Sequence, residues 1–417
     1  MTFGINDIPV AVWVLLGSSL IAGMIVAIWQ WQRANIMRSH VAALNRAEHS
    51  RDTNSATETV GDDETTLAGE PTTQQVEHEK PGVTVIVDAR NELTELRQCL
   101  PRILHQDYPT FEVIVVVGAQ GEAAGETLSE IRSQFDNLHV TFAPRETRGL
   151  SRKKLALMLG IKASEYPIIL TTNANCRPSS ERWLSLMMSL FEPGVDVVLG
   201  YSHYRYSRDR GPGKFYRVFD TVSTGTQWIV SALSGHPYRG TCDNLAYRKQ
   251  VFFDHSGFAK SMHLQWGDDD VWVSEISTAS NTRVQLLPES QLHSHYDNMS
   301  HAHTVWKMRR DFTAGLVRRQ PRVVQAVMSC LAWCHFLAAI AAIACAPTSA
   351  VVIGVAALSL LLAWVVTMIA VRRQCDVLCA PRPLLGVPLF TLLRPIVNIG
   401  YRIYERPNQY INYTNHI

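Results

Sequence analysis

Neither sign of charge dominates this chain: 39 lysines and arginines face 37 aspartates and glutamates, a formal net charge of +2. No basic arm or domain stands out, so nothing points to nucleic acid as a partner. Cysteine is scarce and poorly spaced for metal binding. The eight are Cys99, Cys176, Cys242, Cys330, Cys334, Cys345, Cys375 and Cys379, and the two closest pairs fall within or just after apolar runs. This excludes a zinc module or a disulfide-stapled scaffold and reads as reduced thiols in a cytosol or bilayer. Positive charge is also missing ahead of the first apolar run, where Asp7 is the only charged side chain, so that run is not a signal peptide. No internal repeat is present.

Long uncharged segments are what the chain does have. Ile8 to Trp29 carries no charged side chain and matches the roughly 20 residues a helix needs to cross the hydrocarbon core. Arg33 and Arg38 follow it, which by the positive-inside rule puts the next segment in the cytoplasm, below an inner membrane. Val323 to Ala346 and Ala350 to Val371 form a hairpin around Pro347-Thr348-Ser349, bracketed by Arg318, Arg319 and Arg322 and by Arg372 and Arg373. Pro383 to Ile399 is apolar but interrupted by Pro388, Arg394 and Pro395, which suits an interfacial or re-entrant segment. The chain divides into an anchor over 1–30, an acidic flexible linker over 31–80, a soluble domain over 81–320, a membrane hairpin over 321–373 and a cytoplasmic or interfacial tail over 374–417. The linker is rich in Glu, Asp, Thr and Gln and too poor in large apolar groups to offset its ordering entropy.

Within the domain, β-branched runs alternate with amphipathic ones, the pattern of an α/β fold with a parallel sheet covered by helices. Strands are expected at Val83–Val87, Phe111–Val117, Leu138–Ala143 and Ile168–Thr172, with helices at Leu93–His105, Gly125–Phe135 and Ser151–Ser164. Chemistry belongs at the carboxyl ends of such strands, after Val87, Val117 and Thr172.

These residues resemble glycosyltransferase family 2. Val83 to Val87 followed by Ala89-Arg90-Asn91-Glu92 is similar to its opening strand and loop, and Lys153 to Gly160 to its "K-x-x-A-L-x-x-G" helix. Leu170 to Pro178 is similar to the strand entering its metal turn, and Gly240 to Lys249 to its "G-x-x-x-N-x-A-Y-R-K" segment. Gly267-Asp268-Asp269-Asp270 resembles its acidic base motif, and Lys307 to Gly315 its "Q-x-x-R-W" helix. The resemblance implies a GT-A fold with flanking transmembrane helices and an inverting transfer of sugar from a nucleotide-diphosphate donor to a glycan or lipid-linked cell-envelope acceptor. In that chemistry a carboxylate deprotonates the acceptor hydroxyl and magnesium or manganese neutralises the leaving diphosphate. Carried over by position, Asp269 is the base with Asp268 beside it. Ala89, Arg90, Asn91, Glu92, Lys153, Asn173, Asn175 and Arg310 fall on the donor side, and Gly240, Asn244 and Arg248 on the acceptor side.

Several family residues are absent. Asn173 and Asn175 stand at the two Asp-x-Asp positions, so a magnesium or manganese site there loses two charges and is weakened. Val116-Val117-Gly118-Ala119 lacks the acidic residue that grips the base, for which Asp88 is the candidate substitute. Lys307 and Asp311 replace the glutamine and aromatic positions of the closing helix. Lys153, Lys307, Arg309 and Arg310 offer positive charge to a diphosphate in place of a metal. The same basic helix also fits a surface lying on anionic lipid. His293, His295, His301 and His303 read as solvated loop histidines rather than a metal site. Two functions therefore stand side by side, an active transferase and a pseudo-glycosyltransferase that keeps the fold to bind a nucleotide, a glycan or a partner membrane protein such as another membrane glycosyltransferase, with a ligand-free structural scaffold as a third, weaker reading.

Overall fold

A computed structural model of the protein describes residues 8–58, 80–89, 93–118, 128–144, 150–206, 209, 211, 213–383 and 386–405. The first element, α1, runs unbroken from Val10 to Glu58 over 49 residues. It passes well beyond the expected end of the span, and residues 31–58 of the expected linker are helix rather than tether. The physical reason is an apolar stripe at helical spacing. Ala34 and Met37 are fully buried, and Val41 and Leu44 pack on the domain core. Polar contacts fix the same face: Arg33 donates to the Ser223 carbonyl (3.2 Å), His40 bonds the Val284 carbonyl (2.8 Å) and Glu48 pairs with Arg182. Residues 59–79 of the expected linker lie outside the described residues.

The domain follows in alternating order: β1 (Val83–Asp88), α2 (Leu93–Leu104), β2 (Phe111–Val117), β3 (Leu138–Phe142), α3 (Arg152–Ala163), β4 (Ile168–Asn173), β5 (Cys176–Pro178) and α4 (Trp183–Met188). Next come β6 (Val197–Leu199), β7 (Ser202–Tyr204), α5 (Lys214–Leu233), β8 (Leu245–Arg248), α6 (Lys249–Asp254), α7 (Asp270–Ile276), β9 (Thr282–Val284), β10 (Leu292–Ser294) and α8 (Met299–Thr313). The main sheet has the order β3-β2-β1-β4-β8-β6-β9 and is parallel except for β8, which runs against both neighbours. Strands this apolar on both faces need cover on both sides. Val83, Val85 and Val87 point into the cluster holding Leu96, Leu100 and Ile103 of α2, while Ile86 points into the one holding Ala156, Leu157 and Ile161 of α3. Gly160 allows α3 its close approach, because a Cβ there would lie 2.8 Å from Ile86 Cγ2. The expected strands agree with β1 to β4 to within a residue. The start of the expected 125–135 helix lies outside the described residues. A small second sheet, β5-β10-β7, stands beside the carboxyl end of β4.

Among the described residues, three helices are long and apolar enough to cross a membrane: the first part of α1, then α9 (Gln320–Cys345) and α10 (Ala350–Val377), with mean hydropathies of 2.3, 2.0 and 2.5. They pack together through small residues such as Ala339, Ala342 and Ala356. Ser19 and His335 bond each other across α1 and α9. The broken segment near the end is α11 (Val387–Glu405), whose Leu389, Leu393, Ile396, Ile399 and Ile403 form one exposed apolar stripe. Its opposite face is tied down by Arg394.

Candidate active site

The acidic triplet is built by a glycine turn and a helix start. Gly267 has φ +101°, a left-handed conformation that disfavours any Cβ, and a Cβ there would lie 2.8 Å from Val271. Asp269 then caps α7, its Oδ1 accepting from the Asp270 amide at 2.8 Å. The loop before the triplet hangs on Lys154 of α3. This fully buried ammonium donates to the carbonyls of Ser261 (2.5 Å), Trp266 (3.0 Å) and Leu264 (3.3 Å). Burial pulls the Lys154 pKa down to about 8 against the attraction of the three aspartates.

Three cations match three carboxylates. Lys153 Nζ lies 2.8 Å from Asp268 Oδ2, and Arg309 bridges Asp268 (3.3 Å) and Asp269 (3.4 Å). Arg239 holds Asp270 at 2.9 Å, and Thr313 donates to the same carboxylate. Their environments separate the three acids. Asp268 is 1% exposed, and although burial works to raise its pKa, Lys153 and Arg309 hold it well below the usual range. Asp270 is pushed up to about 6, by burial and then by Asp269, against the pull of Arg239. Asp269, 21% exposed, opens onto a cavity of about 420 Å³ walled by α5, α8 and β7, with Trp228, Trp266 and Trp306 among its lining. Sugar-sized ligands suit such a mix of aromatic faces and a few convergent polar groups.

The positions equivalent to the metal turn are taken up by other partners. Asn173 donates to Asp243 Oδ1 at 2.5 Å, and Asp243 Oδ2 accepts from Ser202 (3.0 Å) and Ser294 (3.4 Å). Asn175 is buried and donates to the His295 carbonyl at 3.1 Å. No cluster of three or more His, Cys, Asp or Glu fit to hold a metal exists among the described residues. Arg309 brings positive charge to this place, its pKa raised, against its own burial, by Asp269, Asp268 and Asp243. A hard cation would have to compete with that guanidinium for an amide and one carboxylate, so the donor set does not fit magnesium or manganese.

Other expected residues sort by direction. Gly240 lines the cavity. Asn244 does not: it is fully buried, accepting from Trp183 Nε1 (3.0 Å) and donating to the Tyr201 and Ser290 carbonyls. Arg248 is also remote. It ends antiparallel β8 opposite Ile168, the amino end of β4, and bonds the Val195 carbonyl. Ala89 is buried and donates its amide to the Val116 carbonyl at 3.0 Å, whereas Arg90, Asn91 and Glu92 lie outside the described residues. Lys153 reaches Asp268, and Asp88 adds to raising its pKa, against burial and after Asp268. Arg310 lines the cavity, donates to Thr224 and lies 5.4 Å over Trp306.

Lys307, expected near a diphosphate, is instead buried against Asp220 (2.6 Å). Asp220 of α5 also receives Arg394 of α11 (2.8 Å) and His303 of α8 (3.0 Å). His303 is therefore a buried helix residue, not a solvated loop histidine. Asp220, Asp243, Arg239 and Lys154 were not singled out from the sequence. Asp243 had a signal, a carboxylate immediately before the recognised Asn244.

Residues 84–255 match the family model described as "Glycosyl transferase family 2". Glycosyltransferase AglE of Haloferax volcanii is 25% identical over 202 residues, 48% of this chain and 62% of that protein. Glycosyltransferase GlyA of Streptococcus pneumoniae serotype 4 is 24% identical over 155 residues, 34% of this chain and 20% of that protein. The chain thus spans less than two thirds of the length of either relative. Among solved structures, the mannosyltransferase PcManGT from Pyrobaculum calidifontis in complex with GDP-Man and Mn2+ aligns with TM-score 0.45 and 19% identity, over 84% of this chain and 99% of that one. S. aureus TarS 1–349 in complex with UDP aligns with TM-score 0.37 and 16% identity, over 55% and 64%.

Proposed function

We propose that this chain, whose residues 84–255 match the family model described as "Glycosyl transferase family 2", transfers a sugar from a nucleotide-diphosphate donor to an acceptor hydroxyl at a membrane surface. Asp269 takes the hydroxyl proton, the acceptor oxygen bonds to the anomeric carbon, and the nucleoside diphosphate departs with the electrons of the broken C–O bond. Attack from the face opposite the leaving group inverts the anomeric centre. The observation that carries this reading is the separation of the triplet: Asp268 and Asp270 are committed to buried ion pairs, whereas Asp269 alone combines exposure with a place on the cavity wall. Proton abstraction needs such a positioned, accessible carboxylate.

Arg309 and Arg310 stand on the same wall and supply the charge that meets the departing diphosphate. The arginines after the first candidate span favour a domain on the cytoplasmic side of its membrane. Asn173 and Asn175 favour one other reading, a catalytically silent partner that binds nucleotide or glycan without turnover. Titration of the detergent-purified chain with UDP- and GDP-sugars, with and without manganese, separates the two when coupled to a transfer assay. Metal-independent binding with transfer lost in Asp269→Asn is the expected result. Binding without any turnover in the wild type would leave only the silent partner, and no nucleotide binding at all would sink the transferase reading and leave a silent partner that binds glycan.

A further inference from the structure

A second cavity, of about 610 Å³, lies where α1, α9 and α11 meet the domain. We infer that it takes the phosphate-bearing headgroup of an anionic lipid that also carries a hydroxyl, and that this lipid is the acceptor of the transfer proposed above, on which the inference rests.

The cavity has two chemistries. Its membrane side is apolar, with Val26 and Trp29 of α1 facing Met328 and Trp333 of α9. Its domain side is cationic, with Arg33, Arg239, Arg310 and Arg322 on the wall. The acids nearby are already used: Asp270 pairs with Arg239, Asp220 with Lys307 and Arg394, and Asp311 with Arg402. Arg33, Arg310 and Arg322 have no carboxylate at ion-pair distance among the described residues. Arg33 is 5% exposed, stacked 4.3 Å over Trp29 and bonded only to a carbonyl. Guanidinium groups left without counter-charge in such a place are unfavourable until an anion arrives, and phosphate is the anion their planar fork fits best.

Unpaired polar atoms sharpen the ligand. Arg239 Nε and Arg322 Nε are buried donors without a partner, while Gln30 Oε1 and Gln325 Oε1 are buried acceptors without one, and all four residues line this cavity. A phosphate oxygen answers the donors, and the hydroxyls of a polyol or sugar headgroup answer the acceptors. The acyl or isoprenyl chain then lies along Trp29 and Trp333 into the bilayer.

Arg239 and Arg310 belong to the walls of both cavities, so the headgroup sits one side chain from the Asp269 cavity. The hydroxyl that attacks the sugar is thus part of the same headgroup. Its oxygen forms the bond to the anomeric carbon, its proton passes to Asp269, and the nucleoside diphosphate leaves.

The test is native mass spectrometry of the delipidated full chain in detergent, titrated with phosphatidylglycerol, phosphatidylcholine, diacylglycerol or inorganic phosphate. Nucleotide-sugar binding is measured on the same preparations. One phosphatidylglycerol per chain is expected, bound about tenfold or more tighter than the other lipids, and Arg322→Gln and Gln325→Leu each weaken it about tenfold. Arg33→Gln provides a third variant, and melting temperatures confirm that each is folded. Equal retention of diacylglycerol would mean a merely apolar gap, and inorganic phosphate binding as tightly would mean a free-anion site. Either result overturns the inference, as does an unchanged affinity in all three variants. Lipid preference with nucleotide binding lost fails the transferase reading and leaves a lipid site without an acceptor role. Nucleotide binding without lipid preference fails the inference alone.

Discussion

Replacing Arg309 by alanine tests whether a guanidinium has taken over the task of a metal ion. Arg309 bridges Asp268 at 3.3 Å and Asp269 at 3.4 Å, and its side chain is 28% exposed. At such distances each pair is worth about 4–5 kcal/mol in gross Coulomb terms at an effective dielectric near 20. Desolvation offsets most of this in the ground state, so the informative quantity is the stabilisation of charge that develops on the leaving group. Loss of one preorganised donor of that kind costs about 2.7–4 kcal/mol, a rate decrease of about 10²–10³. The wild type is expected to transfer sugar equally well in chelator and in manganese. Without Arg309 the acidic triplet keeps only Lys153 and Arg239, and Asp243 faces the same space, so a divalent cation now meets excess negative charge. Arg309→Ala should therefore be slow in chelator and recover part of its rate with added manganese. Initial rates with and without EDTA, at saturating donor, read this directly. An Arg309→Ala variant as fast as wild type, or a wild type silenced by chelator, would refute the reasoning.

Three further outcomes follow from the same geometry. Asp220→Asn leaves Lys307 and Arg394 buried without their anion, a loss of about 3–5 kcal/mol, and the melting temperature in detergent should fall by roughly 6–20 °C; an unchanged melting point contradicts the role given to that carboxylate. Asp270, with its pKa at about 6, takes up a proton as pH drops through that value and loosens its hold on Arg239, so transfer should decline below about pH 6. Because this carboxyl is raised rather than lowered by folding, its uptake of a proton between about pH 6 and 4 adds stability, so the decline in rate should not be accompanied by unfolding from this group. Asn173→Asp sets a carboxylate against Asp243, so manganese should raise the melting temperature of that variant and leave the wild type unaffected.

The strands and membrane helices were legible because each carries a periodicity that burial enforces. β1, β2 and β4 are continuous apolar runs buried on both faces, and α9 and α10 are long and apolar enough to cross a membrane. The second half of α1 was missed because the composition of residues 31–80 was averaged. The stripe of Ala34, Met37, Val41 and Leu44 is short, and the polar residues beyond it diluted its signal. In the candidate site, motif position pointed to Asp269, which lines the cavity, and to Asp268 beside it, whereas Asn244 faces away from that cavity, because Cys242–Asn244 is a 3-10 turn whose successive side chains point about 120° apart. Asp243 turns toward Asn173 and the cavity, and Asn244 turns toward Trp183. The Asp220 cluster was out of reach of sequence reasoning. Its members come from α5, α8 and α11, separated by up to 174 residues, and no local pattern announces that they meet.

The long first helix changes what kind of machine this is. With 49 residues it extends about 74 Å at 1.5 Å per residue. A transferase on a slack leash could search the volume above the bilayer and reach acceptors at many heights. Here Arg33, His40 and Glu48 bolt the same rod that carries the candidate span to α5, to the edge strand β9 and to Arg182 just before α4. Under the function proposed above, the rod acts as a ruler that sets the altitude and heading of Asp269 over the lipid plane. On that proposal substrates arrive at one depth, by diffusion in two dimensions, and lengthening or kinking the rod near residue 30 would misplace the whole domain without touching Asp269.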